Sequence, residues 1–214
     1  MSKHALHLGR LVSHDPRSLA FPAPSAPIRK AVTHRHYGLI LDQGQLGSCT
    51  GNAMAQALMT APLHQKGRTL TEKDAVSIYS AATVIDGAPG QYPPDDTGSS
   101  GLAVAKVAKS RGLITGYTHA FGLDHALGAL QLSPLLVGVN WHEAMFTPDA
   151  QGFVHPDGNV AGGHEFVCIG DTGSHLVFLN SWGKSWGRNG RFFMTYADFG
   201  TLLNEQGDVV VPAP

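Results

Sequence analysis

The sequence predicts an α+β protein in which a helical lobe is followed by an antiparallel β lobe. Two observations carry that expectation. Apolar residues recur at helical spacing from residue 49 to about residue 120, and strand-like runs punctuated by Gly, Asp, Pro and Asn clusters replace them afterwards. Helices first and strands later segregate into layers, whereas a parallel sheet would need the two to alternate.

Taken in order, residues 1–36 are rich in Pro, Ser, His and Arg without a sustained period. They read as an extended amino-terminal arm, laid on the domain or partly disordered. Residues 37–214 form the domain, with a helical lobe over about 45–120 and a β lobe over about 121–214. Ala53, Met54, Ala57, Leu58 and Ala61 mark one face of a helix over 49–62. A second helix runs from the cap residue Thr71 to Thr83, burying Ala75, Ile78, Tyr79 and Ala82. Turn chemistry fills 88–100, and a third helix spans 102–110. A short helical stretch at 126–132 precedes strands expected at 134–141, 164–170, 175–182, 190–196 and 208–211.

Composition narrows the function. A net charge of −1 offers no global field for nucleic acid or an anionic membrane, so neither is an expected partner. No apolar run approaches membrane-spanning length, and the amino terminus lacks the apolar core of a secretory signal. The expected location is cytoplasmic, or delivery without a secretory signal in a virion or secretion assembly. Two cysteines make no disulfide framework, although a Cys49–Cys168 bridge remains formally open. The 12 histidines show neither structural-zinc spacing nor an HExxH helix, so no metal or other cofactor is expected.

Three separated segments carry chemistry. In DQGQLGSCT, Cys49 opens the first helix, where free N–H groups and the helix dipole favour thiolate. In AGGHEFVCIG, His164 leads a strand just after Gly162 and Gly163, so little bulk precedes the ring. In VFLNSWGKSWGRNG, a strand runs into Asn180 and a Trp/Gly loop. An Asn carboxamide oxygen can accept from imidazole Nδ1–H and turn Nε2 toward a thiol. Trp182 then shields that bond from water. Cys168, on the same strand and parity as His164, reads as a small buried hydrophobe.

These segments together resemble the papain-like cysteine peptidases. The order Cys, His, Asn agrees, as does the interval of 180 − 164 = 16 positions between His and Asn. A Gln six residues before the nucleophile, here Gln43, agrees as well. The resemblance spans about residues 40–200 and implies a two-lobe fold with an active-site cleft between the lobes. It makes Cys49 the nucleophile, His164 base and acid, Asn180 the orienter and Gln43 an oxyanion donor beside the Cys49 N–H. The implied activity is that of a thiol endopeptidase acting on polypeptides without a cofactor, in a compact bacterial or phage-type form.

The same resemblance places Gly98, Glu165, Gly138 and Trp182 at the substrate. Gly98 stands where relatives use glycine for backbone contact with an extended substrate. Glu165 and Gly138 line the second specificity pocket, which is then enlarged, acidic and selective for Lys or Arg two residues before the scissile bond. A Glu165 paired with a neighbouring base or exposed to solvent is the alternative.

The chain also departs from the family. Leu46 and Thr50 replace the cysteine and tryptophan that usually flank the nucleophile, and the Cys-to-His interval, 164 − 49 = 115, falls below the roughly 130–150 residues of papain relatives. With 48 residues before Cys49, a full prosegment is not expected. The arm is expected chiefly to brace the β lobe; lying in the cleft or docking an inhibitor or assembly partner are its other roles. Two other functions use the same residues: a Cys-His amidase or acyltransferase on cell-wall peptides, and a papain-fold binding module without turnover.

Overall fold

The computed structural model describes residues 6–27 and 29–214. Its centre is an antiparallel sheet in the order β2-β7-β3-β4-β5-β6, with the short β1 pairing the far end of β4. The strands are β1 (Val32–Thr33), β2 (Gly116–Ala120), β3 (Leu135–His142), β4 (Val160–Asp171), β5 (Leu176–Leu179), β6 (Arg191–Met194) and β7 (Asp208–Ala213). Helices α1 (Cys49–Leu58), α2 (Glu72–Thr83) and α3 (Gly101–Ser110) pack on one face of the sheet, and α4 (Gly122–Leu130) and α5 (Tyr196–Asn204) on the other.

Strand alternation divides the core between the two faces. On β4, Val167 and Ile169 join Met54, Ile78 and Val104 beneath the first three helices. Phe166 and Cys168 turn the other way, toward Leu127 of α4, Phe199 of α5 and the aromatics of β5 and β6. A period of two on a strand buried on both faces produces this division.

The helices start where their caps dictate. Thr71 N–H and Oγ both donate to Asp74 Oδ2 at 2.8 Å, so α2 begins after Thr71 as its sequence predicts. α3 begins one residue before the expected Leu102, because Ser100 Oγ accepts from Ala103 N–H at 3.2 Å. α1 ends at Leu58, short of the expected 62. α4 starts at Gly122 rather than 126, and the expected strand over 190–196 stops at Met194 because Thr195 caps α5.

The arm does more than brace. Ala23 N–H donates to His119 O and His119 N–H to Phe21 O, which ties residues 21–23 to β2. Val32 and Thr33 pair Asp171 and Gly170 on β4. These contacts fit the bracing role. Residues 6–11 instead run extended over the start of α1, and this is the principal departure from the sequence-based expectation.

Candidate active site

Cys49 is the first residue of α1, with Ser48 as its N-cap, and it is fully buried. The backbone N–H groups of Glu165, Thr50 and Gly9 lie around its sulfur and favour thiolate. Burial opposes them more strongly, as does the nearby Glu165 carboxylate, and the thiol is pushed up to about 12. The sequence expects the helix start to lower this value. Gly9 of the arm covers the sulfur and removes its water, so desolvation outweighs the dipole. Both cysteines are free, and Cys168 is buried among apolar side chains.

His164, near the start of β4, is also fully buried. Trp182 stacks on its ring at 4.6 Å between centroids, and the Trp141 ring meets it edge-on at 5.0 Å. Its Nε2 lies 2.8 Å from Asn180 Oδ1. The same Oδ1 accepts from Ser181 N–H at 2.8 Å, so it is the amide oxygen and the imidazole must be the donor. His164 therefore carries its proton on Nε2, and the buried Nδ1 is a free base with no hydrogen-bond partner. The sequence reading has the two nitrogens the other way round. Nδ1 is one bond nearer the backbone and stays by β4, where the Glu165 N–H meets the sulfur, while Nε2 extends toward Asn180. Burial lowers the imidazole to about 4, and the bond to Asn180 only partly offsets it.

Gln43 is held by both ends of its amide. Ser181 Oγ donates to Oε1 at 2.6 Å, and Nε2 donates to Leu46 O at 2.9 Å and to His7 O at 3.2 Å. The Trp182 indole N–H donates to the same His7 carbonyl at 3.2 Å. A carbonyl oxygen of the arm thus sits on the donor that the resemblance assigns to the oxyanion.

The arm then crosses the cleft. Gly9 and Arg10 N–H groups donate to Gly163 O at 3.0 and 2.9 Å. Ser99 N–H donates to Gly9 O at 2.8 Å, and Leu11 N–H donates to Ser99 O at 2.6 Å. This backbone pairing falls on Ser99, one residue beyond the expected Gly98. Gly98 contributes space instead: at φ +74° it lies so close to Gly9 that a Cβ would meet the Gly9 backbone. A cavity of about 380 Å³ lies beyond, lined by His14, Asp15, Leu102, His119 and Asp208 among others, while the arm fills the space over Cys49.

Glu165 is fully buried, and Gly138 is its register partner on β3. Both border the Arg10 side chain, which pairs with Asp208. Sequence reading missed Trp141, Ser181 and Asp208, and placed this use of the arm behind bracing. Ser181 had a legible signal in its place between Asn180 and Trp182; Asp208 had none, since only sheet pairing brings it beside Gly138.

The backbone trace decides the fold. Xylellain, a cysteine protease from Xylella fastidiosa, superposes with a TM-score of 0.76 over 100% of this chain and 98% of its own, at 21% identity. The fold is papain-like. Bromelain from Ananas comosus, solved in complex with the E64 inhibitor, gives a TM-score of 0.60 at 17% identity, covering 87% of this chain and 99% of its own. In sequence, an uncharacterized peptidase C1-like protein of Acanthamoeba polyphaga mimivirus is 25% identical over 79% of this chain and 68% of its own length. No protein-family model matches the chain. Within the papain-like architecture, Cys49 opens the helix under the cleft, and His164 on β4 and Asn180, the residue after β5, lie opposite it.

Proposed function

We propose that the chain is a papain-like cysteine peptidase that hydrolyses peptide bonds through a thioester on Cys49. The observation that carries this reading is the His164–Asn180 bond. It fixes the proton on Nε2 and leaves Nδ1 as a free base on the strand that also touches the Cys49 sulfur. The peptidases of like fold and the peptidase C1-like viral relative support the same class.

In the proposed reaction Nδ1 takes the thiol proton, and the sulfur attacks the substrate carbonyl carbon. The oxyanion that forms is bound by Gln43 Nε2–H and the Cys49 N–H. His164 returns the proton to the leaving amine as the C–N bond breaks. Water then attacks the thioester, giving its proton to Nδ1, and the acid product leaves with the thiol restored. Asn180 holds the ring throughout, and Ser181 holds both Gln43 and Asn180. Trp182 and Trp141 keep water from the His164–Asn180 bond.

The arm is placed to restrain this reaction. With residues 7–11 in the cleft, the oxyanion donor is engaged, the sulfur is covered, and thiol and imidazole are both held neutral. Activity then requires the arm to lift. The reading is tested with an epoxysuccinyl thiol-protease inhibitor on the full-length Gly9→Ala chain under reducing conditions. One adduct at Cys49, absent after His164→Ala, is expected by mass spectrometry. A folded chain that gains no adduct overturns it.

A further inference from the structure

The loop that runs from Gln43 to the nucleophile is tied to the opposite wall of the cleft through one carboxylate. Gly47 N–H donates to Asp96 Oδ2 at 2.8 Å, and the Tyr79 hydroxyl donates to Asp96 Oδ1 at 2.6 Å. The same hydroxyl accepts from the Gly98 N–H at 3.0 Å. Together they form a bridge, Gly47 to Asp96 to Tyr79 to Gly98, from the loop before Cys49 to the segment that ends at Ser99. Both cysteines are free, so no disulfide ties this loop in place of the bridge.

Packing brings the parts of the bridge together. Gly51 on α1 faces Tyr79 on α2, and a Cβ there would lie 2.8 Å from the Tyr79 Cβ, so glycine lets the two helices close. Gly47 likewise lets the carboxyl approach, since a Cβ on it would stand 3.0 Å from Asp96 Oδ1. Burial and the Asp96 carboxylate hold the Tyr79 phenol above its usual range, which keeps it a donor to Asp96 at neutral pH.

Each end of the bridge meets a group of the proposed reaction. Gly47 N–H and Leu46 O are the two ends of one planar peptide group. Asp96 holds the N–H end, and the carbonyl end accepts from Gln43 Nε2–H at 2.9 Å. Nε2 carries two protons: the one on Leu46 O stays, and the one on His7 O is freed when the arm lifts. The plane of the Leu46–Gly47 peptide therefore sets the direction of the freed N–H. At the other end, Ser99 N–H and O bond Gly9 and Leu11 of the arm, and lifting the arm releases them to an extended substrate. Gly9 itself sits between the two walls, against Gly47 on one side and Gly98 on the other.

We propose that Asp96 is a positioning residue of the peptidase: it aims the Gln43 oxyanion donor through the Leu46–Gly47 peptide and, through Tyr79, sets the distance from that donor to the backbone that pairs with substrate. The proposal rests on the cysteine-peptidase reading. Asp96 acts on the reaction only through these neighbours. A carboxylate suits the place because both partners are donors and its two oxygens accept one each.

The test is made in the full-length Gly9→Ala chain. Asp96 is exposed and lies outside the helices and strands, so its replacement leaves the core intact. Asp96→Ala lowers kcat by about 10-fold, the lower end of what a hydrogen bond to a charged group is worth. Asp96→Asn recovers most of that loss, because its amide oxygen still accepts from Gly47 and its amide N–H donates to the Tyr79 oxygen. Tyr79→Phe keeps the Gly47 bond and raises KM by about 3-fold with kcat unchanged. Its effect is the smaller one because Ser99 Oγ, donating to Asp86 Oδ2 at 2.8 Å, gives the segment a second tie. The deciding measurement is a double-mutant cycle: once Gln43→Ala has removed the oxyanion donor, Asp96→Ala lowers kcat no further. An equal loss with and without Gln43, no loss at all, or an Asp96→Asn chain as slow as Asp96→Ala overturns the proposal.

NMR supplies a readout independent of turnover. In Asp96→Ala the side-chain amide protons of Gln43 shift, and in Tyr79→Phe they do not. Unmoved signals in Asp96→Ala, or equal shifts in both chains, overturn the proposal. If the Gly9→Ala chain cleaves no peptide, the peptidase reading falls and the Gln43 signals alone decide the bridge.

Discussion

Gly9 presses on Gly47 so closely that a Cβ on Gly9 would fall 2.7 Å from the Gly47 Cα and nearer still to its carbonyl oxygen. Gly47 belongs to the loop that leads into Cys49, so this contact fastens the arm directly over the nucleophile. It is made of backbone on both sides and cannot relax by a rotamer change.

Gly9→Ala therefore lifts the arm. If the open form is about 0.1–10% of the wild-type population, peptide hydrolysis rises by about 10- to 1000-fold. Steady-state kinetics on the two full-length chains measure the change, and limited proteolysis should find residues 6–11 newly accessible in the variant.

Asn180→Ala, made in the Gly9→Ala chain, frees the His164 ring and lowers kcat by about 100-fold, at the lower end of what general acid–base catalysis contributes. KM should change little, because Asn180 contacts the imidazole and not the cleft. Nitrogen NMR of the ring should show the Nε2–H tautomer before the substitution and a mixture after it.

Gln43→Ala in the same chain removes one oxyanion donor, and kcat falls by about 100- to 1000-fold. Ser181→Ala leaves that donor in place but frees the amide to rotate, since Ser181 Oγ is the group that holds Oε1. Its loss in kcat should be smaller than that of Gln43→Ala, with KM unchanged in both.

The pH dependence of stability has two limbs. His164 is lowered to about 4 in the folded chain. Between the usual histidine value of about 6.5 and that point the unfolded chain binds the extra proton, so stability falls as pH drops through this window. Cys49 is raised from the ordinary thiol value of 9.0 to about 12. There the unfolded thiol ionises first, and stability falls as pH rises from 9 toward 12. Denaturant titrations across pH should show both limbs, and His164→Gln should reduce the acidic one, to which His34, His36 and His119, lowered by burial as well, also contribute. Alkylation of Cys49 in the native wild-type chain should likewise stay slow up to strongly alkaline pH and shift to lower pH in Gly9→Ala.

Much of this architecture was legible in the sequence because it is set locally. The Thr71 cap, the apolar stripe of α1 and the alternation along β4 each depend on neighbours a few residues away. The short β2 and α5 escaped: β2 is a half-buried edge strand, and α5 buries only Phe199 and Leu202, too few positions to declare a period. The candidate catalytic residues were legible as types and order, but not their environment. Which imidazole nitrogen meets Asn180 depends on where β4 lies against α1. The high Cys49 value depends on a cover supplied 40 residues upstream. Asp208 was invisible because its meeting with Gly138 and Glu165 exists only in the register of three strands. The arm's composition signalled an extended segment, and nothing in it marked Arg10 as the residue that would fill an acidic slot.

The central claim is that Cys49 forms a covalent acyl intermediate once the arm is lifted. Intact-chain mass spectrometry of Gly9→Ala, quenched in acid during turnover of a peptide ester, tests it most directly. The account predicts one acyl adduct, mapped to Cys49 and missing from the Gly9→Ala, Cys49→Ala chain. Turnover of the ester with no adduct on Cys49, or with an undiminished rate in the Cys49→Ala chain, would contradict it.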